Sequence, residues 1–165
     1  MIVQIRVDDR LIHGQVALVW TKELNTPGIV VANDNAAKTK AVQMTLQMAT
    51  PTGKKLLIRS VQDAIRVFLD PRGKDMRLFV LVNAVQDAAT IVAAVPGVQA
   101  VNVANVGRFT QDAQDAQALS STVMLTPPEV KALRQLAASG VPTFSQVLPS
   151  NAKQSVQSLL KNAHS

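Results

Sequence analysis

From Arg6 to Val16 the chain reads Arg-Val-Asp-Asp-Arg-Leu-Ile-His-Gly-Gln-Val, setting two carboxylates, two guanidinium groups and one imidazole into the eight positions that end at His13. His13 is followed by Gly14, whose missing Cβ lets a ligand approach the backbone. If a helix opens here, the free N–H groups of Gly14, Gln15 and Val16 form an anion site. Arg10, three residues back, offers a cationic fork that matches phosphate. In that setting a neutral imidazole nitrogen can attack phosphorus and hold the phosphoryl group covalently, provided the proton on the other nitrogen is held. Asp8 or Asp9 could supply that hold, while Arg10 and the helix amides stabilise the equatorial oxygens during in-line transfer. The scheme needs neither a metal nor a cofactor. The same residues also fit a hydrolase base, a His/Asp metal site, or simply a solvated turn with local ion pairs.

These residues need a strand before them and a helix after. Ile2 to Val7 is mostly apolar and β-branched and predicts a first strand. Gly14 to Leu24 predicts a helix, and Ile29 to Ala32 a short buried strand after Pro27-Gly28. Asn33-Asp34-Asn35 supplies a cap for a helix from Ala36 to Ala49. Strands then follow over Lys55 to Arg59, Leu78 to Val82, Val98 to Val103 and Thr122 to Leu125, with helices over Val61 to Leu69 and Gln86 to Ala94. Thr126 caps a helix that tolerates Pro127-Pro128 in its first turn and stops at Gly140. Val141 to Val147 is a last extended segment, and Ser150 begins a terminal helix to about Lys161. This alternation, with no composition break, predicts one α/β domain over residues 1–165: a three-layer sandwich with a central, mainly parallel sheet of about seven strands and helices on both faces. Ligands sit outside the carboxyl ends of such strands. Asp8 to His13 lies at one of these ends, and Asn33-Asp34, Asn83 and Asn105-Val106-Gly107 at others.

Composition narrows the classes. The chain has 165 residues, 47% hydrophobic but only 3% aromatic, so Val, Leu, Ile, Ala and Met must fill the core. Cysteine is absent, which excludes a disulfide framework, a thiol nucleophile and Cys-ligated metal. No signal-peptide pattern or membrane-length apolar run is found, so a soluble, cytoplasmic protein is expected. The net charge of +6 comes from Lys38 to Arg77, where nine basic residues face three acidic ones, a surface that could steer an acidic partner.

The Arg6 to Val16 motif, with Trp20 after it, closely resembles the active-site signature of IIB components of the mannose, fructose, sorbose family of the bacterial phosphoenolpyruvate-dependent sugar phosphotransferase system (PTS). Val30 to Asp34, Ala49 to Gly53, Asn102 to Gly107 and the block from Leu125 to Pro149 look like later landmarks of that family, so the resemblance spans essentially the whole chain. It implies that His13 accepts a phosphoryl group from a phosphohistidine of a separate IIA protein. The group then passes to a sugar translocated by the membrane components IIC and IID, which would place the protein peripherally at the membrane. It also implies that Arg10 contacts the phosphoryl group. The sequence departs from the family pattern after Asn105-Val106-Gly107, where Arg108-Phe109 stands, and after Asn33-Asp34, where Lys38 and Lys40 follow. Asn33, Asp34, Asn105, Gly107 and Arg108 are therefore candidate residues of the site rim, with Arg108 a second cation.

Other features read more simply. Trp20 is expected as a core contact rather than a sugar platform, Met44 and Met48 as core-facing, and His164 as a tail residue. No GxGxxG or Walker-type loop is present. The competing functions are a basic nucleic-acid-binding module, disfavoured by the scarcity of aromatics, and a phosphosugar sensor that never transfers the group. An exposed sheet edge could pair two copies into a homo-oligomer.

Overall fold

The computed structural model describes residues 1–108 and 114–163. Strand β1 (Ile2–Asp8) leads through a turn into α1 (Gly14–Leu24), then β2 (Gly28–Ala32), α2 (Asp34–Lys38), α3 (Lys40–Ala49), β3 (Lys55–Arg59) and α4 (Val61–Leu69). After one 3-10 turn at Pro71–Gly73 come β4 (Leu78–Val82), α5 (Val85–Ala94), β5 (Val101–Asn105), β6 (Gln117–Ala118), β7 (Met124–Leu125), α6 (Pro127–Ala138), β8 (Thr143–Ser145), β9 (Gln154–Ser155) and α7 (Val156–Lys161). Seven strands form one sheet in the order β3-β2-β4-β1-β5-β8-β9, parallel except for β9 against β8.

Strand and helix periodicity explain the layers. β2 and β4 are buried along their whole length, as parallel strands covered on both faces must be. Alternate residues separate into two cores. Ile29, Val31, Phe79 and Leu81 face Trp20, Ala17 and Leu46 of α1 and α3. Val30, Val80, Val82 and Val103 face residues of α4 to α7. Helix α1 therefore leaves β1 toward one face while α5 and α6 lie on the other. The loops after β1 and β5 diverge, and the gap between adjacent strand ends is where such sheets bind ligands.

Several elements differ from the sequence expectation. The helix expected from Ala36 to Ala49 is broken at Thr39, which is extended at φ −113° and ψ 107°. The Gln43 side chain donates to the Ala36 and Ala37 carbonyls and so satisfies the end of α2 that a continuous helix would have satisfied itself. Met44 and Met48, expected in the core, are 56% and 86% exposed, because α3 turns Val42, Leu46 and Ala49 to the sheet instead. The Thr122 to Leu125 segment does not join the main sheet: β7 pairs antiparallel with β6 in a separate ribbon. Strand β5 starts at Val101 rather than Val98, and the extended segment after Gly140 is ordered as a strand only over Thr143–Ser145. The terminal helix starts at Val156, not Ser150, because the Ser155 hydroxyl accepts from Ser158 N–H as its cap and residues just before it add β9. Thr126 precedes α6 as expected, but its hydroxyl donates to Glu129 Oε1. Phe109 and His164 lie outside the described residues. Among the described residues no helix is long and apolar enough to cross a membrane.

Candidate functional site

The turn after β1 is anchored from below. Leu11 and Ile12 are buried in the core beneath α1, and Leu11 takes the left-handed conformation (φ 58°) to get there. Burying these two side chains pushes Arg10 and His13 to the surface on either side of them. Leu11 N–H donates to Asp8 C=O at 2.9 Å and closes the turn.

Asp8 organises this turn. Its Oδ2 accepts from Arg6 Nη2 and from Asn105 Nδ2, both at 3.1 Å, and its Oδ1 accepts from Arg10 N–H at 3.0 Å. Arg6 and Asp8 are 1% and 2% exposed, so this is a fully buried ion pair. Burial pulls the Arg6 guanidinium below its ordinary pKa and the Asp8 charge opposes the shift; an arginine remains a cation at neutral pH. Arg6 Nη1 and Trp20 Nε1 both donate to Val147 C=O, at 3.0 and 2.9 Å, and the guanidinium lies 5.9 Å from the Trp20 ring centre.

Asp9 ties the same turn to the end of β5. Its N–H donates to Asn105 C=O and its Oδ2 accepts from Arg108 N–H, both at 2.9 Å. Burial raises the Asp9 pKa, and the backbone bonds from Arg108 and Gly107 work against the rise. Gly107 sits at φ 106°, and a Cβ there would collide with the Met124 carbonyl oxygen. Only glycine lets the Ser120–Met124 segment close against β5, where Val106 exchanges hydrogen bonds with Thr122 and Met124.

His13 is the N-cap of α1 and its side chain caps nothing. Its Nε2 lies 3.2 Å from Arg10 Nη1. A guanidinium only donates, so Nε2 presents its lone pair and the neutral ring carries its hydrogen on Nδ1. The helical bonding series begins with Ala17 N–H to His13 C=O, leaving the amides of Gly14, Gln15 and Val16 outside it, and no acidic residue occupies the first turn.

His13, Arg10, Asp9, Asn105 and Arg108 share a cavity of about 400 Å³ with the Ser121 and Thr122 side of the hairpin. Of the residues expected near one another, Asp8, Asp9, Arg10, His13, Val16, Asn105, Gly107 and Arg108 do line it together, with Gly14 and Gln15 following His13 in α1. Neither Asp8 nor Asp9 bonds the imidazole, because both carboxylates are committed to backbone, Arg6 and Asn105. Asn33 and Asp34 are not at this site. Strand β4 lies between β2 and β1, Asn33 Oδ1 accepts from Ala36 N–H, and Asp34 Oδ1 accepts from Val61 N–H, so the two residues cap α2 and α4. Arg6 and Trp20 stand in the signature stretch, and Trp20 is the core contact expected of it, but sequence reasoning missed what they hold, the Val147 carbonyl, and missed the Ser120–Thr122 hairpin tip as part of this environment. The available signal was Gln4, Arg6 and Asp8 at alternate positions, a polar row on one face of a central strand. Among the described residues no cluster of three or more His, Cys, Asp or Glu could hold a metal ion.

Asp34 has one further effect. Asp87, in the first turn of α5, is pushed up to about 6 by burial and by the Asp34 charge. A carboxyl whose folded pKa is raised stabilises the fold in acid, and that contribution is lost as pH rises through about 6. Asp87→Asn is expected to leave stability unchanged at pH 3, below the ordinary carboxylate value of 3.8, and to raise it by about 1 kcal/mol at pH 7.5, a figure discounted for partial exposure. Urea unfolding at the two pH values checks this; an equal effect at both would rule out the titration.

The sequence matches the family model described as the PTS system sorbose subfamily IIB component over residues 2–165. It is 55% identical over 162 residues, 97% of this chain and 99% of the relative, to a probable phosphotransferase enzyme IIB component of Streptococcus pyogenes serotype M6. It is 32% identical to the sorbose-specific EIIB component of Klebsiella pneumoniae, covering 88% of this chain and 87% of that one. The crystal structure of the IIBSor domain of the Klebsiella pneumoniae sorbose permease superposes with a TM-score of 0.89 at 28% identity, covering 99% of this chain and 98% of the other.

Proposed function

Because the chain belongs to the PTS sorbose-subfamily IIB component family, and is therefore a phosphotransfer subunit of a sugar phosphotransferase system, we propose that His13 is the residue that carries the phosphoryl group. The observation that carries the reading is the 3.2 Å contact between Arg10 Nη1 and His13 Nε2 on an exposed helix N-terminus. A nucleophile, a neighbouring cation whose backbone is held by Asp8, and uncommitted amides meet there on a surface another protein can reach.

The donor is a phosphohistidine on a IIA protein. A lone pair of the His13 ring attacks phosphorus as the donor's N–P bond breaks, and the donor imidazole leaves with the electron pair. Arg10 moves from the ring nitrogen to the phosphoryl oxygens, and the Gly14, Gln15 and Val16 amides face the same charge. In the second half-reaction a hydroxyl of the sugar held by the membrane components IIC and IID attacks phosphorus. The His13 N–P bond then breaks and the hydroxyl proton is released. Asp8 acts by holding the Arg10 backbone, and Asp9 by clasping the Arg108 loop. Arg108 supplies a second positive group at the cavity wall.

The experiment is incubation with phosphoenolpyruvate, the two general phosphotransfer proteins and a mannose-family IIA, followed by peptide mass spectrometry. One acid-labile phosphoryl group on the His13 peptide is expected. Its absence with two different phosphorylated IIA proteins would refute the reading. Arg10→Lys keeps the charge but loses the planar fork, so transfer is expected to slow by about 10- to 100-fold with little change in docking affinity. Calorimetry beside rapid-quench kinetics separates these, and a change confined to docking would show that Arg10 is a contact residue only.

A further inference from the structure

The basic excess between Lys38 and Arg77 does not gather around His13. Arg66 and Arg72 pair with Asp63 and Asp70, and Arg77 donates to the Leu24 and Asn25 carbonyls at the end of α1. Lys55 and Lys74 stand elsewhere, among the residues lining a second cavity of about 610 Å³ beneath the amino ends of β2, β3 and β4, which Met1 also lines with its ammonium bonded to the Met76 carbonyl. Ile2, the first residue of β1, lines this cavity and Asp8, the last, lines the His13 cavity, so the two sites are roughly 20 Å apart along the strand.

The walls are apolar, built from Leu57, Val67, Phe68 and Met76 among others. Val67 and Met76 remain 36% and 44% exposed, so no segment of the described chain covers the mouth. A sugar or nucleotide would find few hydrogen-bonding partners on such walls and would lose its hydration without replacement. An alkyl chain would gain from burial there, and the exposed, flexible side chains of Lys55 and Lys74, both among the lining residues, could meet an anionic end.

We propose that this cavity binds an anionic amphiphile, with its alkyl chain along Leu57, Val67 and Phe68 and a carboxylate or phosphate head between Lys55 and Lys74. The volume lies within the usual range for small-ligand sites. The proposal is independent of the role of His13, because the two cavities lie at opposite ends of the sheet.

Decyl phosphate below its micelle concentration, titrated into the full chain and followed by methyl NMR, tests it. Saturable shifts of the Leu57, Val67 and Met76 methyls are expected, with the His13 ring signals unmoved. Decyl maltoside, with the same chain and a neutral head, is expected to bind about tenfold more weakly, and Lys55→Gln with Lys74→Gln is expected to weaken decyl phosphate by a similar factor. Inorganic phosphate alone is expected to leave these methyls in place. Val67→Trp, a substitution at the exposed mouth, is expected to block both amphiphiles while keeping the native Tm. Equal affinity for the charged and neutral amphiphiles would overturn the head-group assignment, and absence of saturable shifts would overturn the site. Binding to phosphatidylglycerol-containing vesicles that Val67→Trp leaves intact would assign the lysines to a membrane surface and overturn the cavity as well.

Discussion

His13→Ala is expected to reduce phosphorylation by phospho-IIA to background while leaving the fold unchanged. The ring is exposed, caps no backbone group, and its hydrogen-bond partner among the described residues is the side chain of Arg10. Removing an exposed side chain of this kind changes stability by about 0.5 kcal/mol or less, so thermal unfolding and circular dichroism should overlay those of the parent. The loss of transfer is total because no second imidazole stands in the cavity: serine and threonine hydroxyls line the opposite wall, but an unactivated hydroxyl is a much weaker nucleophile than a neutral imidazole. Acid stability separates these cases. A residual label that survives acid would mean a hydroxyl had taken the group, and an undiminished acid-labile label on the variant would end the assignment of His13.

Arg6→Met is expected to have the largest effect on stability. The substitution keeps much of the volume but leaves Asp8, 2% exposed, without its cation. Stranding one member of a buried ion pair costs about 3–5 kcal/mol. In a chain of this size that lowers Tm by roughly 10 °C. The damage should also reach function, because Asp8 holds the Arg10 N–H and Asn105, and Arg6 itself holds Val147. The double variant Arg6→Met with Asp8→Asn, which removes both charges, should recover a measurable part of the stability. Urea denaturation of the parent, of Arg6→Met, of Asp8→Asn and of the double variant closes the cycle that gives the coupling energy. A single-variant loss below about 1 kcal/mol would mean that Asp8 is adequately solvated or bonded without Arg6.

Much of this architecture is legible in the amino-acid sequence. The apolar runs Ile29 to Ala32 and Leu78 to Val82 read as buried strands and are such, and the Arg6 to Val16 motif points to the strand end where the cavity lies. What escaped was the pairing of distant residues. Asp8 meets Asn105 across 97 positions and Arg6 meets Val147 across 141, and neither local propensity nor spacing carries that information. Asn33 and Asp34 looked like rim residues because every parallel strand ends at the same edge. Strand order, which placed β4 between them and β1, could not be deduced from the alternation alone. Met44 and Met48 were misjudged for a related reason. Their spacing is right for a helix face, but which face is turned inward depends on the break at Thr39.

The carbonyl of Val147, held by both Arg6 and Trp20, has an evolutionary corollary. Two side chains from the first twenty residues read this segment through its backbone, so the letter at position 147 is free to drift among residues that fit the wall. The count of residues between Ser145, the end of β8, and Val147 is not free, because one insertion or deletion would turn the oxygen away from both donors at once. Substitution there should be tolerated where a change of chain length is not.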